Sequence, residues 1–331
     1  MVAHAIDLHA HWVPPQLAQA LRKRQGQVPR LEVLADGSER LVMPIGTLSF
    51  SEAHTDPALR LQHMSQVGIT RQMLSLPGLF GIDSLPFEES APLVRGFNEA
   101  CAQLCQTHPE RFCGLAALPW ANLDAAVAEL RRARLELGLL GAILPVDAFR
   151  SEATAARIRP VFEAADALGV HFFVHPGRMP DSGALPTAPP DNDLARRALA
   201  VQHEVGEAMV TLLLSDFLKP WQNITVQVAH LGGNFGAVVE RMDLMQSLHH
   251  PTRALPSRRT RAVWVDCASM GPQALEQAVA VFGADRVVLG TDGPIFDAAK
   301  TLSAIRHSRL SAADQALILH GNAAALLARL S

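Results

Sequence analysis

Short apolar runs rich in β-branched residues alternate along the chain with longer segments of helical periodicity. Eight of these runs predict strands, at residues 3–8, 69–76, 112–118, 140–144, 170–174, 224–229, 262–266 and 286–290. Between them lie amphipathic segments such as 123–137 and 151–168, which end at Gly138 and Gly169, a residue type common at helix C-termini. Eight strand-then-helix units in one chain predict an α/β fold, the (β/α)8 TIM barrel.

Two stretches interrupt this rhythm. Residues 30–43 form two alternating runs around Asp36 and Gly37, which predicts a small β-hairpin inserted after strand 1, within residues 28–50. Residues 180–193 are rich in turn-forming residues and predict a loop over the barrel mouth. No GxGxxG motif follows the first strand, which disfavours an open dinucleotide-binding sheet. We therefore expect residues 1–331 to form one barrel domain.

Composition excludes several classes of protein. Of the 331 residues, 49% are hydrophobic and 18% are charged, which excludes a disordered chain. The net charge of -3 leaves no basic surplus for phosphates, so nucleic acid is not an expected partner. No apolar run reaches the roughly 18 residues of a membrane span, and the four cysteines form no CxxC pair. We expect a soluble, reduced, cytoplasmic protein with no membrane partner.

Side chains able to bind metal lie at the ends of four predicted strands. His9 and His11 end the first strand, and because residues two apart share a face of a strand, both rings should project together. His175, His230 and Asp292 follow three further strands. Since the carboxyl ends of barrel strands meet at one face, these imidazoles and this carboxylate suit Zn²⁺ or a similar divalent ion.

One histidine on the same strand as His175 has a different interpretation. His171 shares the parity of His175, but it enters the strand from the opposite end. We expect His171 to be a core residue or to lie at the bottom face of the barrel.

The residues above stand in longer motifs, IDLHAH (6–11), FVHPG (173–177), VAHLGG (228–233), FGADRVVLGTDGP (282–294) and GNAAALL (321–327). Together they resemble the amidohydrolase superfamily. Within it, the chain is most similar to the amidohydrolase-related group that includes the aminocarboxymuconate semialdehyde and resorcylate decarboxylases. The resemblance extends from Asp7 to about Leu327 and implies a metal-dependent enzyme on a barrel.

The resemblance also implies roles for individual residues. His9, His11, His175 and Asp292 would bind one divalent metal ion per chain, Zn²⁺ before Mn²⁺ or Co²⁺. His230 would stand beside the metal as general acid/base, and Asp292 would additionally relay a proton. Dinuclear relatives have a bridging lysine or glutamate at the end of the fourth strand, where residues 142–145 offer none. A mononuclear site is therefore expected.

Two arginines are candidates for binding a substrate carboxylate, because the guanidinium offers paired donors. Arg241 matches an arginine that, in relatives, reaches into the neighbouring subunit's site, which implies a homodimer. Arg178 is a candidate from its position after the fifth strand. A second arginine of those relatives is replaced here by Ser51, and the chain has no tyrosine. These departures disfavour the muconate semialdehyde as the substrate.

These features predict a carboxy-lyase that decarboxylates a small aromatic or unsaturated carboxylic acid. A first alternative uses the same site as a hydrolase or hydratase acting on a lactone, an amide or a conjugated acid. A second alternative is a non-catalytic barrel that keeps the histidines as structure. Buried ionisable groups are costly without partners or a role, which makes the non-catalytic barrel the weakest of the three.

Overall fold

Eight parallel strands surround the centre of the fold in the computed structural model, which describes residues 4–183, 192 and 194–330. They are β1 (Ala5–His11), β5 (Ile69–Ser75), β6 (Phe112–Gly114), β7 (Gly141–Pro145), β8 (His171–His175), β9 (Thr225–Val228), β10 (Trp264–Asp266) and β11 (Val287–Val288). They pair in the orders β1–β5–β6 and β7–β8–β9–β10–β11. The three strands that lie between β1 and β5 in the sequence form a separate sheet outside the barrel.

Main-chain hydrogen bonds close these two sheets into a barrel. At one seam, the Ala116 amide donates to the Gly141 carbonyl over 2.8 Å. At the other seam, the Leu8 amide donates to the Leu289 carbonyl over 2.9 Å. Every strand therefore has a neighbour on both sides, which confirms the predicted (β/α)8 barrel and leaves no open edge among these strands.

Helices surround the barrel and bury the outer faces of its strands. The α-helices of the described chain are α1 (Pro15–Arg22), α2 (Pro57–Val67), α3 (Phe87–Thr107), α4 (Leu123–Leu135), α5 (Glu152–Arg157), α6 (Arg159–Leu168), α7 (Val201–Leu214), α8 (Phe235–His249), α9 (Pro272–Phe282), α10 (Ala298–Arg306), α11 (Ala312–Ala316) and α12 (Asn322–Leu330). The segment predicted as one helix at 151–168 is split into α5 and α6 at Ile158. Pro160 explains the break, because proline has no amide hydrogen to continue the helical bonding but fits the first turn of a new helix.

The barrel interior has its own apolar core. This core combines strand residues such as Leu8, Ile143 and Phe173 with Leu326 and Leu330 of α12. Leu330 also lies near the residues that precede β8 and β9, at the amino-terminal end of the barrel. Apolar side chains therefore fill much of the barrel interior at that end, whereas barrel active sites lie at the opposite, carboxyl-terminal end.

The insertion after β1 is larger than the predicted hairpin. It is a three-stranded antiparallel sheet of β2 (Arg30–Val33), β3 (Glu39–Met43) and β4 (Gly46–Phe50). The predicted turn is present, with Gly37 at φ +81° and the Ser38 amide donating to Asp36. β4 was missed, because alternation of Leu48 and Phe50 over five residues is too short a signal by itself.

Two sequence predictions concern residues outside the described part of the chain. Residue 3, where the first strand was predicted to begin, lies outside it, and so do residues 184–191 and 193 of the predicted mouth loop. Among the helices that the structure does describe, none is long and apolar enough to cross a membrane.

Asp83, a buried acid in the loop between β5 and α3, should make the stability of the protein depend on pH. Asp83 is 3% exposed, and burial raises the pKa of its carboxyl from 3.8 to about 7, although nearby backbone N–H groups oppose this. A raised folded-state pKa means that the folded protein binds the proton more tightly than the unfolded chain. Stability is therefore lost as pH rises from about 4 to about 7 and is constant above.

We expect Asp83→Asn, which mimics the neutral carboxyl, to raise the free energy of unfolding. The increase should become larger as the pH rises from about 4 to about 7. The gain should reach a few kcal/mol at about pH 8, since each pKa unit corresponds to about 1.4 kcal/mol. Urea unfolding of both proteins at several pH values between 5 and 8 measures it. A difference that does not change with pH would contradict the assignment.

Candidate active site

Four side chains converge at the carboxyl-terminal end of the barrel. His9 and His11 come from the end of β1, His175 is the last residue of β8, and Asp292 follows β11. One potential ligand atom from each lies within 4.8 Å of the others, and all four residues are buried. The fold therefore brings together the four residues that the resemblance implied as metal ligands.

The two histidines of β1 are each held through Nδ1. His9 Nδ1 lies 3.0 Å from Oδ1 of Asp266, a carboxylate oxygen that can only accept. His11 Nδ1 lies 3.1 Å from the Ser75 hydroxyl, which itself donates to a backbone carbonyl and therefore accepts from the ring. Both rings thus carry hydrogen on Nδ1 and direct Nε2 toward the cluster, the arrangement typical of metal-binding histidines.

His175 completes the set of imidazoles. Its Nδ1 donates to the Pro176 carbonyl over 2.9 Å, and its buried Nε2 has no hydrogen-bond partner among the described residues. Asp292 Oδ1 lies 3.1 Å from His11 Nε2 and 3.5 Å from His9 Nε2. Ligands about 2.1 Å from a tetrahedral ion would be about 3.4 Å apart. Both the unpartnered Nε2 and these spacings fit a divalent ion.

The charges of the cluster are strongly coupled. Burial opposes protonation of His9, but Asp266 and Asp292 outweigh it and raise the pKa of His9 to about 10. Burial also opposes ionisation of Asp292, yet His9 and His11 hold the pKa of this carboxyl well below its usual range. Burial lowers the pKa of His11 and lowers that of His175 further, which keeps both in the neutral form that binds metal.

Strained backbone is concentrated at this site. Among the described residues other than glycine, those with positive φ are His230, Leu231, Ser269 and Asp292, at φ 54–57°. Such conformations cost about 1–3 kcal/mol each and persist where the surrounding structure holds them. The Asp292 amide is held by the His9 carbonyl at 2.7 Å. Strain at His230 and Asp292 is consistent with functional rather than structural placement of these side chains.

His230, the expected acid/base, lies beside the four-residue cluster. Its ring centroid is 5.3 Å from that of His9 and 5.9 Å from that of His175. Its Nδ1 donates to the Ala268 carbonyl over 3.2 Å, with the Ser269 hydroxyl at the same distance. No hydrogen bond within the described chain engages Nε2, which is therefore available to exchange a proton with a bound molecule.

Asp7 precedes His9 by two residues on β1, and among the described residues it forms no hydrogen bond with the His9 ring. It accepts from the His9 amide at 3.0 Å, from Gln72 Nε2 at 2.8 Å and from the Thr291 hydroxyl at 2.6 Å. Asp7 therefore joins β1 to the residue that precedes Asp292.

Asp266 is the residue that sequence reasoning missed. It is the last residue of β10, is fully buried, and is the partner of the His9 ring. The sequence contained a signal for Asp266, because this polar residue ends a predicted strand just as His175 does. The hydrogen bond between Asp266 and His9 could not be predicted from local sequence, since the two residues are 257 positions apart.

The two candidate arginines differ in their surroundings. Arg178 Nε lies 3.2 Å from the buried Asp147 carboxylate, and another of its nitrogens donates to the Gly183 carbonyl. This guanidinium therefore joins the loop at Gly183 to Asp147, and its role in binding a substrate stays a prediction. Arg241 lies on α8, is exposed, and its guanidinium has no ion pair within the described chain.

His171 is buried at the amino-terminal end of β8, and its Nδ1 lies 2.8 Å from the Thr225 hydroxyl. The expectation that His171 is a core residue is confirmed.

Comparisons with known proteins agree with this geometry. The model of the amidohydrolase family matches residues 6–329. A 2-amino-3-carboxymuconate-6-semialdehyde decarboxylase from Dictyostelium discoideum is 27% identical over 298 residues, covering 87% of this chain and 81% of that protein. A gamma-resorcylate decarboxylase from Rhodococcus jostii (strain RHA1) is 28% identical over 287 residues, covering 81% of this chain and 86% of that protein.

A solved structure shares the fold. It is a dihydroxybenzoic acid decarboxylase from Polaromonas sp. JS666 with bound manganese and the inhibitor 2-nitroresorcinol. The TM-score is 0.72 at 20% identity, and the alignment covers 98% of this chain and 97% of that chain.

The cluster predicts a specific pattern of metal binding. The wild-type protein should retain about one divalent ion per chain, and His175→Ala should weaken retention at least about 10-fold, because it removes one of four donors. Mass spectrometry of metals after dialysis measures this. His171→Gln is the matched control, since it changes a buried histidine of the same strand and should leave the metal content unchanged. Equal metal content in both variants would exclude His175 as a ligand.

Proposed function

The chain belongs to the amidohydrolase family, and on that basis we propose that it is a metal-dependent carboxy-lyase that decarboxylates a small aromatic or unsaturated carboxylic acid. The observation that carries the proposal is the position of His230 beside a four-residue cluster suited to one divalent ion, with no described residue hydrogen-bonded to its Nε2. Decarboxylase relatives that cover most of the chain support this reaction over hydrolysis.

The reaction requires that the carbon losing CO2 receive a proton. A divalent ion at His9, His11, His175 and Asp292 would supply Lewis-acid polarisation of the substrate's oxygens. In our proposal, His230 Nε2 delivers a proton to the carbon, the bond from that carbon to the carboxylate breaks, and the electrons of this bond restore the unsaturated system as CO2 leaves. The Ala268 carbonyl, which accepts from His230 Nδ1, stabilises the positive charge of the protonated ring and fixes its direction.

Zn²⁺ is the ion that we propose as resident. Imidazole nitrogen and carboxylate oxygen, the donors that these four residues would offer, are ligands that zinc accepts readily. Mn²⁺ remains the competing assignment, because a decarboxylase with the same fold holds manganese. Metal content of protein purified without added metal distinguishes the two ions.

We also propose a homodimer in which Arg241 binds the substrate carboxylate in the partner's site. Leu244, Met245 and Leu248 follow Arg241 on α8, and their exposed fractions are 73%, 43% and 71%. Their spacing places them on one side of the helix with Arg241. Exposed apolar side chains grouped in this way are typical of a protein interface. The guanidinium beside them, which has no ion pair with any residue that the structure describes, is available to a carboxylate.

The role of His230 is tested by substitution. We expect His230→Ala to lower kcat by about 10²–10⁴-fold while retaining metal, because proton transfer by a positioned side chain contributes about this much. The assay measures CO2 release from a panel of hydroxybenzoic and conjugated carboxylic acids. The metal content of the variant is the control. Turnover unchanged from wild type on the preferred acid would exclude this role.

The shared site is tested by mixing two inactive variants. Arg241→Ala and His230→Ala chains, unfolded together and refolded, should recover about a quarter of wild-type activity. Half of the random dimers are mixed, and each mixed dimer has one complete site of its two. An arginine acting within its own chain predicts no recovery. Light scattering of Leu248→Asp, expected to be monomeric, tests the interface independently.

A further inference from the structure

The carboxylate of Asp266 is fully buried and is surrounded by donors from three strand ends. Its Oδ1 accepts from His9 Nδ1 at 3.0 Å, from the Ala268 amide at 3.1 Å and from the His230 amide at 3.3 Å. Its Oδ2 accepts from Gln227 Nε2 at 2.9 Å. A buried carboxylate is held in its charged form by such bonds. His9 and the other donors accordingly lower the pKa of Asp266 against the effect of burial.

Space for this carboxylate is created by a glycine. Gly290, two residues after the end of β11, lies against both His9 and Asp266. A Cβ at this position would come within 2.7 Å of His9 Cβ and 2.8 Å of Asp266 Oδ1. Real side chains do not approach so closely, so any larger residue at 290 would displace His9 or Asp266.

The same carboxylate also holds the turn that carries His230. The backbone of His230 and Leu231 is left-handed, at φ 54° and 57°, a strained state for residues with side chains. Asp266 accepts from the His230 amide and so stabilises this turn. Ala268, whose amide donates to Asp266, offers its carbonyl to His230 Nδ1. Asp266 therefore constrains the backbone of His230 directly and its ring through Ala268.

We propose that Asp266 is a positioning residue that aligns the metal ligand His9 and the acid/base His230 with each other. By accepting from His9 Nδ1 it fixes the tautomer that presents Nε2 to the metal and increases the basicity of that nitrogen. By holding the turn at His230 it sets the distance from the proton donor to the metal. Gln227, through the second oxygen, prevents the carboxylate from rotating. The part that concerns His230 rests on the function proposed above.

Metal affinity gives the first test, and it does not require a known substrate. We expect Asp266→Asn to bind Zn²⁺ about 10–100-fold more weakly than wild type in competition with a chromogenic chelator, as is typical for loss of a ligand's partner. The visible spectrum of the Co²⁺-loaded variant should also change, because His9 would approach the ion differently. Asp147→Asn is the matched control, since its carboxylate is equally buried (side chain 1% exposed) but contacts Arg178 and not the cluster.

A second variant keeps this test decisive if Asp266→Asn does not fold. Gly290→Ala leaves every polar group in place but displaces His9 or Asp266, and we expect metal affinity at least about 5-fold below wild type. The proposal would be overturned if Asp266→Asn or Gly290→Ala, whichever folds, bound metal as tightly as Asp147→Asn does.

The link to His230 is tested by a double-mutant cycle at saturating metal. We expect Asp266→Asn to lower kcat at least about 10-fold in the wild-type background but less than about 3-fold in the His230→Ala background, because residues acting through one another are not additive. Equal losses in both backgrounds would refute the link. If the wild-type protein decarboxylates no acid, the proposed function fails, whereas the metal-affinity test still decides whether Asp266 positions His9.

Discussion

The site depends on the seam at which β1 meets the chain that follows β11. There the Asp292 amide donates to the His9 carbonyl at 2.7 Å, between residues 283 positions apart in sequence. Together with the other main-chain bonds of this seam, this bond closes the barrel beside the four-residue cluster and holds Asp292 in its left-handed conformation. Without closure, the two histidines of β1 and the carboxylate would lie on opposite edges of an open sheet. Closure of the barrel at this seam is therefore required both for the fold and for the assembly of the site.

Electrostatic balance is the second constraint. Three imidazoles and two carboxylates, Asp266 and Asp292, are packed together with little access to water. Such a cluster is costly to bury unless charges are paired and hydrogen bonds are satisfied. The structure meets this requirement by giving each imidazole an acceptor at Nδ1 while leaving Nε2 for an ion. The cluster is thereby stabilised by the same contacts that prepare it to bind metal.

Most of the fold could be predicted from local sequence, because hydrophobic periodicity reports which face of an element is buried. The exceptions have local causes. Pro160 breaks a segment whose apolar pattern continues across it, and β4 is too short for its alternation to be recognised. The loop arginine Arg178 was a candidate for substrate binding from its position alone. Its engagement by Asp147 arises from packing between the ends of β7 and β8, which no local pattern records.

The sequence by itself determined which residues could form the site, because the two-residue repeat of a strand places His9 and His11 on one face and barrel topology brings all strand ends together. Only the tertiary structure decided how those residues are oriented. The partners of the imidazoles are Asp266, Ser75 and a backbone carbonyl, and two of the three lie on other strands. Ring orientation, tautomer and charge are set by contacts between distant segments, and such contacts exist only after the barrel has closed.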